Sequence, residues 1–309
     1  MKRIIDKISQ QIAEKLYPGA SLALYHNQQW KEYFLGSQDG HKPVFSGLTY
    51  DLASVSKVVG VATVCIFLLN SGALDLDKPL REYYPAFQDE TVTLRQLLTH
   101  TTGIDPFIPN RNHLSAEELK TAINAIKVTE NKGFHYTDIN FLLLGFMLEE
   151  LYGESLDEIF TKQVYHTFGM TETGFGPCQG AVPTVKGITD GVVHDPKARI
   201  LGVHAGSAGL FSTLQDLEIF CQHYLEDDFA AKLWQNISQG DRPRSVGWNL
   251  EGDWIDHTGY TGPFVMINRK KQSAAIFLTN RTHDYDDRPL WIAKRRELRD
   301  LIKGVFDEI

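Results

Sequence analysis

Ser54-Val55-Ser56-Lys57 is the only Ser-x-x-Lys in the 309-residue chain, and it opens an apolar stretch that continues to Leu69. Apolar nearly all round, the segment from about 54 to 69 reads as a helix buried in a core, and Asn70-Ser71-Gly72 reads as its end. Three residues apart on a helix, Ser54 and Lys57 fall on one face. A serine in the first turn sits at the positive end of the helix dipole, which favours an oxyanion. A lysine beside it can take the serine proton if its own pKa is lowered, or help a neighbour do so. The same spacing also fits an N-cap serine followed by a surface lysine. Against that, a lone ammonium in so apolar a helix needs a reason.

Working outward, Ile4, Ile5, Ile8, Ile12 and Leu16 repeat on one helical face, which predicts an amphipathic first helix stopped by Pro18-Gly19. The runs 20–25 and 30–35, separated by His26-Asn27-Gln28-Gln29, predict a hairpin. The middle, from about Leu74 to Ile200, reads as helices and loops, with helices over 114–126 and 138–151. A short run at 209–212 precedes a helix over about 214–225. Three strand candidates follow at 254–258, 264–268 and 274–279, and Pro289 opens a final amphipathic helix. The class is therefore α+β. Segments 1–74 and 206–309 together form a sheet-containing lobe flanked by helices, and 75–205 is a mostly helical inserted lobe.

Composition narrows the function. Apolar residues make up 42% and charged residues 23% of the chain, ordinary values for a globular enzyme. A formal charge of −8 with no basic stripe argues against a nucleic-acid partner. Cys65, Cys178 and Cys221 are scattered and odd in number, which reads as free thiols. No apolar signal region follows Lys2-Arg3, and the apolar run over 58–69 is short for a bilayer span, so a cytoplasmic location is the expectation. The eleven histidines include His194 and His204, but no His-x-x-x-His or Cys–His spacing, so neither a metal nor another cofactor is expected. His100 reads as a brace for a loop rather than a reacting group.

Two further clusters bear on chemistry. Tyr136-Thr137-Asp138 precedes a helix, and a phenol near a lysine can serve as general base or proton shuttle. A packing aromatic followed by a helix-capping aspartate is the plainer alternative. His257-Thr258-Gly259 ends a strand candidate and is followed by Tyr260-Thr261-Gly262. Small residues at a sheet edge let a substrate backbone approach main-chain N–H groups, although a glycine-rich turn would look the same. Tyr25-His26-Asn27, a strict Tyr-x-Asn, falls in the hairpin turn and reads as structural.

In this order and at these separations, the three pieces resemble the family of class C β-lactamases, D-alanyl-D-alanine peptidases and related esterases. Ser54 and Lys57 match its Ser-x-x-Lys. Tyr136 matches its Tyr-x-Asn, with Asp138 in place of the usual asparagine. His257, Thr258 and Gly259 match its Lys-Thr-Gly or His-x-Gly. Longer phrases agree as well, among them Asp51-Leu52-Ala53-Ser54, Leu97-Leu98-Thr99-His100-Thr101-Thr102-Gly103-Ile104 and Ala208-Gly209-Leu210-Phe211-Ser212-Thr213. The resemblance covers about residues 18 to 283. It implies a β-lactamase/transpeptidase-like fold and a serine hydrolase that works through a covalent acyl-enzyme on small esters, β-lactams or peptidoglycan-derived D-amino-acid amides. A true β-lactamase and a non-catalytic penicillin-binding sensor are the competing functions.

The same resemblance implies Ser54, Lys57 and Tyr136 as the catalytic set. It puts the oxyanion hole at the backbone N–H groups of Ser54 and Tyr260, and substrate contacts at Asp138, His257, Thr258 and Gly259. An ionised Asp138 would hold Lys57 as an ammonium, making Tyr136 the better proton acceptor. Where relatives often carry lysine, an uncharged His257 would pull less on a free carboxylate. The expectation is a preference for neutral esters, with affinity for anions rising as pH falls through the His257 pKa.

Overall fold

The computed structural model describes residues 1–308. The predicted hairpin forms from β1 (Gly19–His26) and β2 (Gln29–Gly36), turning through Asn27 and Gln28, both at positive φ. Two left-handed residues give the turn whose twist matches that of the flanking strands. Short β3 (Thr49–Asp51), β4 (Gly174–Phe175), β5 (Leu210–Thr213) and β6 (Asn249–Glu251) follow, then β7 (Trp254–Thr258), β8 (Phe264–Asn268) and β9 (Ser273–Thr279). One antiparallel sheet runs β2-β1-β9-β8-β7-β6, and a small one runs β3-β5-β4. Pairing of β1 with β9 joins the two ends of the chain. β3, β4 and β6 were not expected as strands: with two or three residues each, they show no alternation to recognise.

The period of two in the long strands assigns the layers. Leu22, Leu24, Phe264, Met266, Ala275 and Phe277 point outward, under the first helix (Lys2–Ala13) and the last (Arg288–Asp307). Ala23, Tyr25, Val265, Ile267, Ala274 and Ile276 point inward, into a core shared with the central helix and the helices of the middle segment. In β7, Trp254 joins the outer set and Ile255 the inner one. His257, two residues beyond Ile255, therefore faces inward, while Asp256 faces the last helix and pairs with Arg299.

The central helix, Ala53–Asn70, is long and apolar enough to cross a membrane, yet 72% of that window is buried inside the protein. Its apolarity is that of a core helix. It begins with a tight turn at Ala53–Val55, widens at Val58–Ala62, and is regular α-helix over Thr63–Asn70. Thr63 Oγ1 donates to the Val58 carbonyl at 2.7 Å and meets Tyr224 Oη at 2.7 Å, tying off the widened turn. Gly60 is required within it, because a Cβ there would fall 2.4 Å from the Phe160 ring.

On the helix Leu214–Glu226, Glu218 faces Glu32 of β2, with which it shares a hydrogen bond. Burial first, and Glu32 second, push the Glu218 carboxyl up to about 8. The folded state therefore keeps a proton that the unfolded chain releases, so stability falls as pH rises between those two pKa values. A Glu218→Gln variant is expected to melt with wild type near about pH 4.5 and above it at about pH 8.5, by about 1–2 kcal/mol after allowing for solvent screening. Thermal unfolding across that range checks this; an offset that does not change with pH would sink it.

Candidate active site

Ser54 is not a helix cap. Lys57, with no exposed surface, donates to Ser54 Oγ at 2.8 Å, to Asp138 Oδ1 at 2.7 Å and to the Ser207 carbonyl at 2.8 Å. All three ammonium protons are thus committed. Burial works against charge on Lys57, but the Asp138 carboxylate outweighs it and, with Tyr136, lifts its pKa above the ordinary lysine value. Burial likewise opposes charge on Asp138, and Lys57 and Lys197 together hold that carboxyl far below the usual range. The pair is a strong ion pair at neutral pH.

Asp138 does not cap its helix either. Thr137 is the N-cap of Asp138–Tyr152, accepting from Ile139 N–H, which frees the Asp138 carboxylate to turn toward the lysines. Tyr136, just outside the helix, is 38% exposed at the cleft. Its ring centre lies 5.2 Å from Lys57 Nζ and 4.5 Å from the His100 ring. His100 accepts at Nδ1 from Asn140 Nδ2 at 2.9 Å, and its carbonyl accepts His135 N–H at 2.8 Å. It braces the Tyr136 loop and is fully buried; burial, then nearby cations, keep it neutral.

The turn that presents Ser54 is held from behind. Ala53 has φ of 45°, a left-handed conformation that costs a residue with a side chain about 1–2 kcal/mol. Buried Asp51 fixes it, accepting Ala53 N–H at 2.7 Å on one oxygen and His194 N–H at 2.8 Å on the other. Burial raises the Asp51 carboxyl to about 6 even so.

On the opposite wall, β7 brings His257, Thr258 and Gly259 against the serine turn. A Cβ on Gly259 would fall 2.8 Å from the Leu52 carbonyl, so only glycine allows this approach. The Tyr260 carbonyl accepts from Arg281 Nε at 2.8 Å, and the Tyr260 hydroxyl donates to Asp286 at 2.6 Å. These bonds hold Tyr260, whose own backbone N–H, in the preceding peptide, is one expected oxyanion donor.

The expected uncharged His257 agrees with its surroundings, but the ordinary pKa expected of it does not. Its side chain is buried, Nδ1–H donates to the Thr258 carbonyl at 3.0 Å, and burial followed by Lys57 and Arg244 pushes its pKa well below the ordinary value. Burial and the two cations thus favour the neutral ring and work against a role as a switch for anions.

The cleft around His257 carries basic side chains that the expectation of weak carboxylate binding did not include. A cleft of about 950 Å³ runs from Ser54 past Tyr136 and His257, and Arg111, Arg199, Arg242, Arg281, Arg288 and Arg295 line it. With Lys197, seven basic side chains line it against the two acidic ones Asp138 and Asp195, in a chain of net charge −8; Lys197 is paired with both of these, and Arg281 with Asp286 just behind. Val185, Ile188, Val192 and Ile292 supply an apolar side. Lys197, Ser207 and the arginines were not singled out in the sequence. Arg288 and Arg295, seven apart on the last helix, share a face, but nothing in sequence says which face meets the cleft.

An antiparallel sheet with a half-buried serine on a buried lysine at its cleft defines a class: serine hydrolases of the β-lactamase/transpeptidase-like fold. The chain belongs to the Beta-lactamase family, whose model matches residues 4–299. An Escherichia coli O157:H7 protein provisionally named D-alanyl-D-alanine carboxypeptidase is 28% identical, over 89% of this chain and 81% of its own. Among solved structures, a β-lactamase/D-alanine carboxypeptidase from Pseudomonas syringae superposes with a TM-score of 0.76 at 18% identity, covering 96% of this chain and 98% of the other. EstCE1, a hydrolase with promiscuous acyltransferase activity, superposes at 0.72 and 18% identity, over 96% and 97%. The expected fold and the expected serine hydrolase both stand.

Proposed function

We propose that Ser54 attacks a carbonyl in a substrate carrying a negative charge near the scissile bond, a D-alanyl peptide or a β-lactam in type, and forms a covalent acyl-enzyme. The Lys57 ammonium 2.8 Å from Ser54 Oγ carries the assignment of the nucleophile. The arginine-lined cleft supports the charge of the substrate, and the carboxypeptidase name of the curated relative agrees with it.

The proton has few places to go. Protonated Lys57 has no lone pair, and His257 is a weak base in its buried, cationic surroundings. Tyr136 remains: as the phenolate, next to the Lys57 ammonium, it takes the Ser54 proton to become the neutral phenol as the bond to the carbonyl carbon forms. The fixed ammonium offsets charge growing on the serine oxygen, and the N–H groups of Ser54 and Tyr260 receive the carbonyl oxygen. Tyr136 then returns the proton to the leaving group, and water repeats the cycle on the acyl-enzyme.

The test pairs a neutral chromogenic ester with the same ester bearing a carboxylate, beside nitrocefin and a D-alanyl-D-alanine peptide. The carboxylate form is expected to have the higher kcat/KM, with the gap narrowing as salt rises from about 0.05 to 0.5 M. Between about pH 5.5 and 8.5 the ratio of the two is expected to stay level, because burial and nearby cations hold the His257 pKa well below its ordinary value. A neutral ester preferred at every salt concentration would overturn the assigned substrate charge.

A further inference from the structure

An asparagine at position 138 would bring no charge to Lys57, whereas Asp138 brings a full one to 2.7 Å. The fold answers that charge. Lys197 Nζ lies 3.1 Å from Asp138 Oδ2 and 3.1 Å from Asp195 Oδ2, so Lys57, Asp138, Lys197 and Asp195 alternate in sign. Lys197 is an unusual residue for its place. It stands in the first turn of the short helix Pro196–Leu201, where the helix dipole disfavours a cation. It is also only 6% exposed, where an ammonium needs partners. The helix does not require it, since Asp195 Oδ1 caps the turn by accepting Ala198 N–H at 2.8 Å.

We propose that Lys197 is a positioning residue that, bridging Asp138 and Asp195, balances the second of the two carboxylates, so that Asp138 anchors Lys57 without leaving a net negative charge beside Ser54. The inference rests on Ser54 being the nucleophile. Acylation builds negative charge on Ser54 Oγ and then on the carbonyl oxygen, and without Lys197 the cluster, with Asp138 and Asp195 against Lys57 alone, would be net negative and oppose both. It would also repel an anionic substrate. Lys197 acts through Asp138: with it the four charges sum to zero, and the carboxylate still grips Lys57 by a charged hydrogen bond.

The experiment compares wild type, Lys197→Met, Asp138→Asn, the double variant and Lys197→Arg. Each is titrated with a fluorophosphonate probe of Ser54 and then assayed on the neutral and the carboxylate-bearing ester. Lys197→Met is expected to lose about tenfold or more in kcat/KM, more on the anionic ester than on the neutral one. Lys197→Arg should keep most of the activity. Adding Asp138→Asn to Lys197→Met should restore part of what was lost, because the stranded charge is then gone. Lys197→Gln, which removes only the charge, gives the same comparison if the methionine variant folds poorly. Full activity in the uncharged variants, or losses that simply add in the double variant, would overturn the inference while leaving Ser54 as nucleophile. Absence of Ser54 labelling in wild type would overturn both.

Discussion

Ser54→Ala is expected to lower kcat/KM by about 10⁴-fold or more, the size seen when a nucleophile is removed from a set that works as a unit. The acyl adduct visible by intact mass with a β-lactam or fluorophosphonate probe should vanish with it. The neighbouring Ser56 offers no detour. It is buried, and its Oγ accepts Leu210 N–H at 3.1 Å, so it serves the contact between the central helix and β5. The variant should fold, since Ser54 caps nothing and its loss frees only one of three Lys57 hydrogen bonds. Labelling that persists in Ser54→Ala would refute the assignment.

Tyr136→Phe tests the path of the proton, and its expected cost is about 10²–10⁴-fold in kcat, the range for a lost general base. The substitution keeps the ring that packs 4.5 Å from His100, so the loop should hold its shape. KM should change little, because the missing hydroxyl acts as the bond forms rather than when substrate docks. The informative contrast is with Lys57. Were Lys57 the base, Tyr136→Phe would keep most of its activity, and the basic half of the pH profile would be unchanged. In the structure Lys57 donates to Ser54, Asp138 and Ser207, which is the reason the phenolate is the proposed acceptor. Lys57→Met is a poorer probe, since it strips a buried carboxylate of one of its two cations and can unfold the protein for that reason alone.

The sequence by itself determined the long elements and three corners of the site. Helical and strand periods survive in any sequence whose faces are buried on one side, so the amphipathic first helix, the apolar central helix, the hairpin and the three last strands were all legible. Ser54 with Lys57, Tyr136 with Asp138, and His257 with Gly259 are each local, and a short motif states local geometry well. The consequence of Asp138 for Lys57 was also legible, because an ion pair needs only two named residues and a reason to meet.

Tertiary structure alone decided the charge of the place. The arginines come from the loops and helices of both halves of the chain, and they act together only because the fold turns them toward one cleft. Lys197 lies 59 residues from Asp138 along the chain, yet 3.1 Å from it in space. The His257 error has the same source. A histidine's ordinary pKa holds in water, and His257 is buried beside Lys57 and Arg244, three groups far apart in sequence. Periodicity is written residue by residue, whereas electrostatics sums over everything within a few ångströms, and that sum exists only once the chain has folded.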